Sequence, residues 1–135
     1  ASDLIKFSQM ILASGSYNGS QILAPETVQA MTADQTFGVP LNKTIWAGEA
    51  KNQWRYGLGN WVQVLDPTDN SPEEEAQRLV SSEGAFGTSE WVDFDLQYAA
   101  AFTIWARPGT ETVAFVNDLK NLVSEAVAAL NMSAP

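Results

Sequence analysis

The chain has 135 residues, 45% of them hydrophobic, enough for one domain with a buried core and too apolar for a disordered segment. Its formal net charge of −9, with 7 Lys and Arg, argues against nucleic acid or an anionic membrane as partner, since both need clustered basic side chains. It has no Cys and no His, which removes disulfides, thiolates, imidazole bases and His metal ligands, and no run is apolar enough to span a bilayer.

In chain order, Ser2 to Ala13 predicts an amphipathic helix with Leu4, Phe7, Ile11 and Leu12 on one face, stopped by Gly15. Ser14 to Ser20 reads as a turn. Pro25 opens a short second helix through Val28 and Met31. Thr32 to Gln53 has no clear period, as in a binding loop or a plain surface excursion. Trp54 to Leu65 alternates like a strand. Asp66 to Glu75 is an acidic, turn-rich stretch, either the first turn of a short helix or a solvated loop, and neither needs a metal.

Arg78 to Ser82 predicts a second strand, Trp91 to Asp93 belongs to a third, and Tyr98 to Ala106 forms a fourth. Phe94 to Gln97 is the tight link between the last two, and short links imply antiparallel pairing. Arg107-Pro108-Gly109 ends the sheet. Thr112 to Leu130 predicts the longest helix, with Val113, Val116, Leu119, Val123, Val127 and Leu130 as its stripe. The fold class is therefore α+β in a single domain, 1–135: an antiparallel sheet of about four strands packed by a long C-terminal helix, with two short N-terminal helices.

The stretch from Ser81 to Asp93 holds the strongest hint of a site. A small polar turn with Gly84 and Gly87 three apart runs straight into a strand, and glycines there admit close backbone or ligand approach. Trp91 and Trp105 read mainly as core or sheet-face aromatics, with a substrate platform as the rival. Trp46 and Trp54 flank the irregular stretch and could rim a cleft. Asp93 reads as turn chemistry, not as an acid catalyst.

Four sequence words in order resemble the C-terminal portion of the serine β-lactamase and penicillin-binding-protein superfamily, in particular its class C-like esterases and β-lactamase-related hydrolases. They are the helix from Asp3 to Gly15, the Leu23-Ala24-Pro25-Glu26-Thr27 segment ending at Met31, Tyr56-Gly57-Leu58-Gly59, and Gly84 to Asp93. The resemblance implies acyl-enzyme hydrolysis of an ester or amide by the Ser of an S-x-x-K motif, helped by a Tyr or Ser motif. A third motif, on a strand, lines the opposite wall and gives a backbone N–H to the oxyanion hole.

By this resemblance the third motif falls on Ser82-Glu83-Gly84, with the oxyanion N–H from Ala85. A shift of one residue would put Ser81 first. The departures are Ser82, where the family has Lys, His or Trp, and Glu83, whose carboxylate is expected to repel an anionic substrate. No Ser in the chain has Lys three residues later, and no Tyr-x-Asn or Tyr-x-Ser occurs, so the chain supplies no nucleophile or base.

The expectation is the C-terminal fragment of a larger hydrolase, not competent alone and needing no cofactor or metal. Its partners would be a small ester or amide substrate in the intact parent, and a missing N-terminal segment or a second copy at the Tyr98–Ala106 edge. The rivals are a non-catalytic binding or regulatory domain that kept the fold, and a stand-alone binding domain whose resemblance is coincidental. Ala1 is not an initiator Met, so the chain reads as processed or excised, and the N-x-S/T sequences at Asn18, Asn42 and Asn131 lean toward an exported protein.

Overall fold

A computed structural model of the chain describes residues 2–36, 38–40, 54–63, 79–84, 86–106 and 110–133. Helix α1 (Ser2–Leu12) opens with Asp3 in its first turn, paired to Lys6 at 2.7 Å. It ends at Gly15, whose N–H donates to the Met10 carbonyl at 2.8 Å. Gly15 has φ +91°, and a Cβ there would lie 2.1 Å from the Leu23 carbonyl oxygen, so only glycine fits. Two short strands follow, β1 (Ser16–Tyr17) and β2 (Ser20–Gln21), paired antiparallel where the sequence showed only a turn. Two-residue strands are too short to carry a period. Helix α2 (Pro25–Thr32) starts on its proline as expected.

The main sheet holds β3 (Trp54–Tyr56), β4 (Trp61–Gln63), β5 (Leu79–Glu83), β6 (Ser89–Asp93) and β7 (Tyr98–Phe102), antiparallel and in sequence order. Helix α3 (Thr110–Met132) follows. The α+β class and the long final helix agree with the sequence reading. The sheet holds five strands where the sequence predicts about four, because the predicted strand Trp54–Leu65 breaks into a hairpin. Gly57 forces the break: its N–H donates to the Asn60 carbonyl at 2.8 Å. A Cβ on Gly57 would also sit 2.5 Å from the Met31 carbonyl oxygen. That carbonyl accepts hydrogen bonds from Leu58 N at 2.9 Å and Asn60 Nδ2 at 3.0 Å. The hairpin is thus fastened to the end of α2.

The sheet is covered on both faces because its strands alternate. Val62, Val80 and Val92 point to one side and pack with Met10 and Ile11 of α1 and Val28 of α2. Trp54, Leu79 and Trp91 point to the other side, where Val113, Leu119 and Val123 of α3 pack on them. Burying each of these large apolar side chains contributes on the order of 1.5–3 kcal/mol before the entropy cost is set against it. The helical faces differ in detail from the predicted ones. Phe7 is 43% exposed, and Ser8 takes a core position on α1 instead. The α3 stripe gives out before Leu130, which is exposed because the helix outruns the sheet.

Strand β7 lies at one end of the strand order, so its outer edge has no strand partner among the described residues. It is shorter than the predicted Tyr98–Ala106. The chain leaves the sheet after Phe102, and Ala106 N donates to the Phe86 carbonyl at 3.0 Å. The acidic stretch Asp66–Glu75, most of Thr32–Gln53 including Trp46, and Arg107–Gly109 lie outside the described residues. No helix among the described residues is long and apolar enough to cross a membrane.

Candidate functional site

Strand β5 reads Leu79-Val80-Ser81-Ser82-Glu83, and alternation sends its polar side chains to opposite faces of the sheet. Ser82 goes with Val80 toward α1. Ser81 and Glu83 go with Leu79 toward α3. These two faces are chemically different environments.

On the α1 side lies a cavity of 250 Å³ between α1, the end of α2, the β3–β4 hairpin, β5 and β6. Ser82 and Glu90 are on its floor, directly opposite each other in the β5–β6 register. Cross-strand neighbours place their Cβ atoms about 4.5–5.5 Å apart, so one small molecule can touch both. Glu90 Oε2 accepts a hydrogen bond from Ser8 Oγ at 2.5 Å. Burial raises the Glu90 pKa, the Ser8 hydrogen bond partly opposes this, and the Glu83 charge adds to the rise. Phe7, Ile11, Met31 and Leu58 give the cavity its apolar walls.

On the α3 side, Glu83 Oε1 accepts hydrogen bonds from Lys120 Nζ, from Ser81 Oγ at 2.7 Å and from Ser89 Oγ at 3.4 Å. Lys120 also donates to Ser81 Oγ at 2.8 Å. The ion pair is nearly sealed, with 3% of the Lys120 and 6% of the Glu83 side chain exposed. The ammonium sits 5.3 Å from the Trp54 ring centre and 5.8 Å from that of Trp91, within cation–π range. Burial lowers the Lys120 pKa, and the charge and hydrogen bond of Glu83 oppose the drop. Nearby, Trp91 Nε1 donates to Tyr98 Oη at 2.9 Å, and that hydroxyl is 2.8 Å from Ser124 Oγ.

The expected cleft wall therefore divides. Ser82 lines the cavity. Glu83 does not: its carboxylate is turned to α3 and paired with Lys120, so it does not meet a ligand in the cavity directly. The carboxylate that faces the cavity is Glu90. Ser81, the alternative first position, has its hydroxyl committed to the Lys120 network. Gly84 is exposed and closes the β5–β6 turn, its N–H donating to the Thr88 carbonyl at 2.6 Å. Ala85 lies outside the described residues.

Among the aromatics, Trp54 and Trp91 are core. Trp105, expected mainly in the core or on a sheet face, is 85% exposed because β7 ends before it. It stacks on Phe86 at 4.9 Å between ring centres, with 4° between the planes. Asp93 performs turn chemistry: its Oδ1 accepts from the N–H groups of Asp95 at 3.0 Å and Leu96 at 2.8 Å. Among the described residues no group of three or more acidic side chains could hold a metal ion.

Ser8, Glu90 and Lys120 do not stand out in the sequence as site residues. Lys120 left a signal, since it stands four after Val116 and three before Val123, inside the apolar stripe. Glu90 left another: it alternates with Trp91, which a buried strand sends to the opposite face.

No family model matches the chain, and no curated protein matches it by sequence. Among solved structures the chain is similar to a protein of Bacteroides dorei DSM 17855 described as a "putative beta-lactamase", at 28% identity and TM-score 0.55 over 76% of this chain. The chain spans 32% of that protein. Its architecture is that of part of a β-lactamase-like fold.

Replacing Lys120 by Met leaves the Glu83 charge buried without its counterion, which is expected to lower stability by about 3–5 kcal/mol in urea denaturation. Adding Glu83→Gln should recover most of the loss. A cost below about 1 kcal/mol, the level of an exposed pair, would contradict the buried pair.

For Glu90 the folded pKa lies above the ordinary 4.5, so above that pH the folded protein holds a proton longer than the unfolded chain. The stability this gives is complete below 4.5 and is lost as pH rises through the folded pKa. Glu90→Gln cannot ionise, so its stability relative to the natural protein should grow from mildly acid to neutral pH. Thermal unfolding of both across that range checks the sign. A shrinking difference would contradict it.

Proposed function

We propose that this chain is the C-terminal part of a serine hydrolase of the β-lactamase type, cleaving an ester or amide through an acyl-enzyme. The observation that carries the reading is the likeness to a larger protein of β-lactamase-like fold, of which this chain spans 32%. The position of Ser82 on the floor of a cavity supports it.

In this reading the nucleophile and its base come from the part of the fold outside this chain. β5 and the turn after it form one wall of the cleft. The Ser82 hydroxyl orients the substrate, and the Ala85 N–H is one of the two oxyanion donors. The Lys120 pair backs β5 from the far side and keeps the wall in place. The chain itself carries no S-x-x-K sequence and is not competent alone. The outer edge of β7 is the place for a preceding strand of the parent or for a second copy of the chain.

Ser82 stands where the family carries Lys, His or Trp, and this one departure favours the second reading, a binding domain that kept the fold and lost the site. An assay of the whole protein that carries this chain separates the two. Under the hydrolase reading it turns over p-nitrophenyl esters. Ser82→Ala then lowers kcat/KM about tenfold or more, the loss of one hydrogen bond to the reacting substrate. No turnover and no acyl adduct by mass spectrometry would support the binding domain instead. For the β7 edge, light scattering of the isolated chain is expected to show self-association as concentration rises. A strict monomer at high concentration would exclude the second copy as partner.

A further inference from the structure

We propose that the cavity between α1 and the sheet selects small ligands that carry an ammonium group on a short apolar body, with Glu90 as the group that recognises the charge. The proposal deepens the hydrolase reading by naming a substrate class, and rests on that reading only in calling the bound molecule a substrate.

Three observations lead to it. First, charge: among the described residues lining the cavity, Glu90 is the only ionisable acid or base, and neither Lys nor Arg is among them. The nearby buried cation, Lys120, is spent on Glu83 across the sheet. An anionic ligand would find no counterion among these described residues and would meet a carboxylate. A cation would find its partner in a partly desolvated site, where such pairs are strongest.

Second, orientation: Ser8 Oγ holds Glu90 Oε2 at 2.5 Å, which anchors one oxygen of the carboxylate. The other oxygen, Oε1, accepts no hydrogen bond among the described residues, so an acceptor is left for a donor arriving from the cavity. Ser82, opposite Glu90 in the register, offers a hydroxyl beside it.

Third, size and polarity. An apolar cavity of roughly 150 Å³ holds benzene. The 250 Å³ here suits one ring with a short aminoalkyl arm, or an aliphatic amine of similar bulk. Phe7, Ile11, Leu58, Val80 and Val92 provide the apolar wall for that body. Phe7 and Leu58 are 43% and 56% exposed and stand ready to be covered by it.

Calorimetric titration of the protein with 2-phenylethylamine, 2-phenylethanol and phenylacetate tests this. The amine is expected to bind at least tenfold more tightly than the alcohol, and phenylacetate not at all. Glu90→Gln should bring the amine down to the level of the alcohol, and retained alcohol binding shows that the variant's cavity is intact. Ser8→Ala, which frees the carboxylate without removing its charge, should weaken the amine by a smaller factor. Equal binding of all three compounds, no binding of the amine at millimolar concentration, or an amine affinity unchanged in Glu90→Gln would overturn the proposal.

Hydrolysis separates the two readings. Amine binding without ester turnover upholds the ligand class and removes the hydrolase. Turnover of neutral esters with no gain for isosteric ammonium-bearing ones keeps the hydrolase and removes the ligand class.

Discussion

The buried ion pair between Lys120 and Glu83 is the constraint on which the site depends. It joins the middle of the longest helix to the end of strand β5. A pair this buried pays its desolvation only if nearly every lone pair and proton is used. Here Ser81 and Ser89 add hydrogen bonds to the same oxygen, and two Trp rings flank the ammonium. The Oε2 oxygen of Glu83 remains buried without a hydrogen-bond partner. The pair therefore adds little net stability over an apolar pairing of equal volume, but it strongly opposes any other register of β5 against α3. A one-residue slip would carry Glu83 to the opposite face and strand both charges.

That register decides what the other face presents. With Ser81 and Glu83 held toward α3, Val80 and Ser82 must face α1, and Glu90 follows from the β5–β6 pairing. The chain thus keeps two carboxylates of opposite use, close enough for one to raise the pKa of the other. Glu83 is paired with Lys120 and structural. Glu90 keeps an oxygen without a hydrogen bond beside a cavity, the condition under which a carboxyl can recognise a ligand. The β3–β4 hairpin, fixed to the Met31 carbonyl by two hydrogen bonds, closes the cavity from the side.

Much of the fold was legible because long elements carry their period. The stripe of α3, the Pro25 start of α2, the Gly15 stop and the turn made by Asp93 all follow from local chemistry. What was missed was non-local. The β3–β4 break depends on how closely Gly57 approaches the Met31 carbonyl, 26 residues earlier in the chain, and no window of sequence shows that contact. The site was half legible. The resemblance singles out Ser82, which lines the cavity, and Glu83, which the alternation of its own strand turns to the opposite face. Lys120 and Glu90 do not stand out because a charge inside an apolar pattern has no meaning until its partner on another element is known.

The most direct test of the account is a crystal structure of the whole protein after reaction with a fluorophosphonate ester carrying an ammonium group. The account predicts a covalent adduct on a serine outside this chain, with the phosphonyl oxygen about 2.7–3.1 Å from the Ala85 N–H. The ester arm should lie over Ser82 with its ammonium on Glu90. An unreacted protein, or a ligand bound away from the α1 face of the sheet, would contradict it.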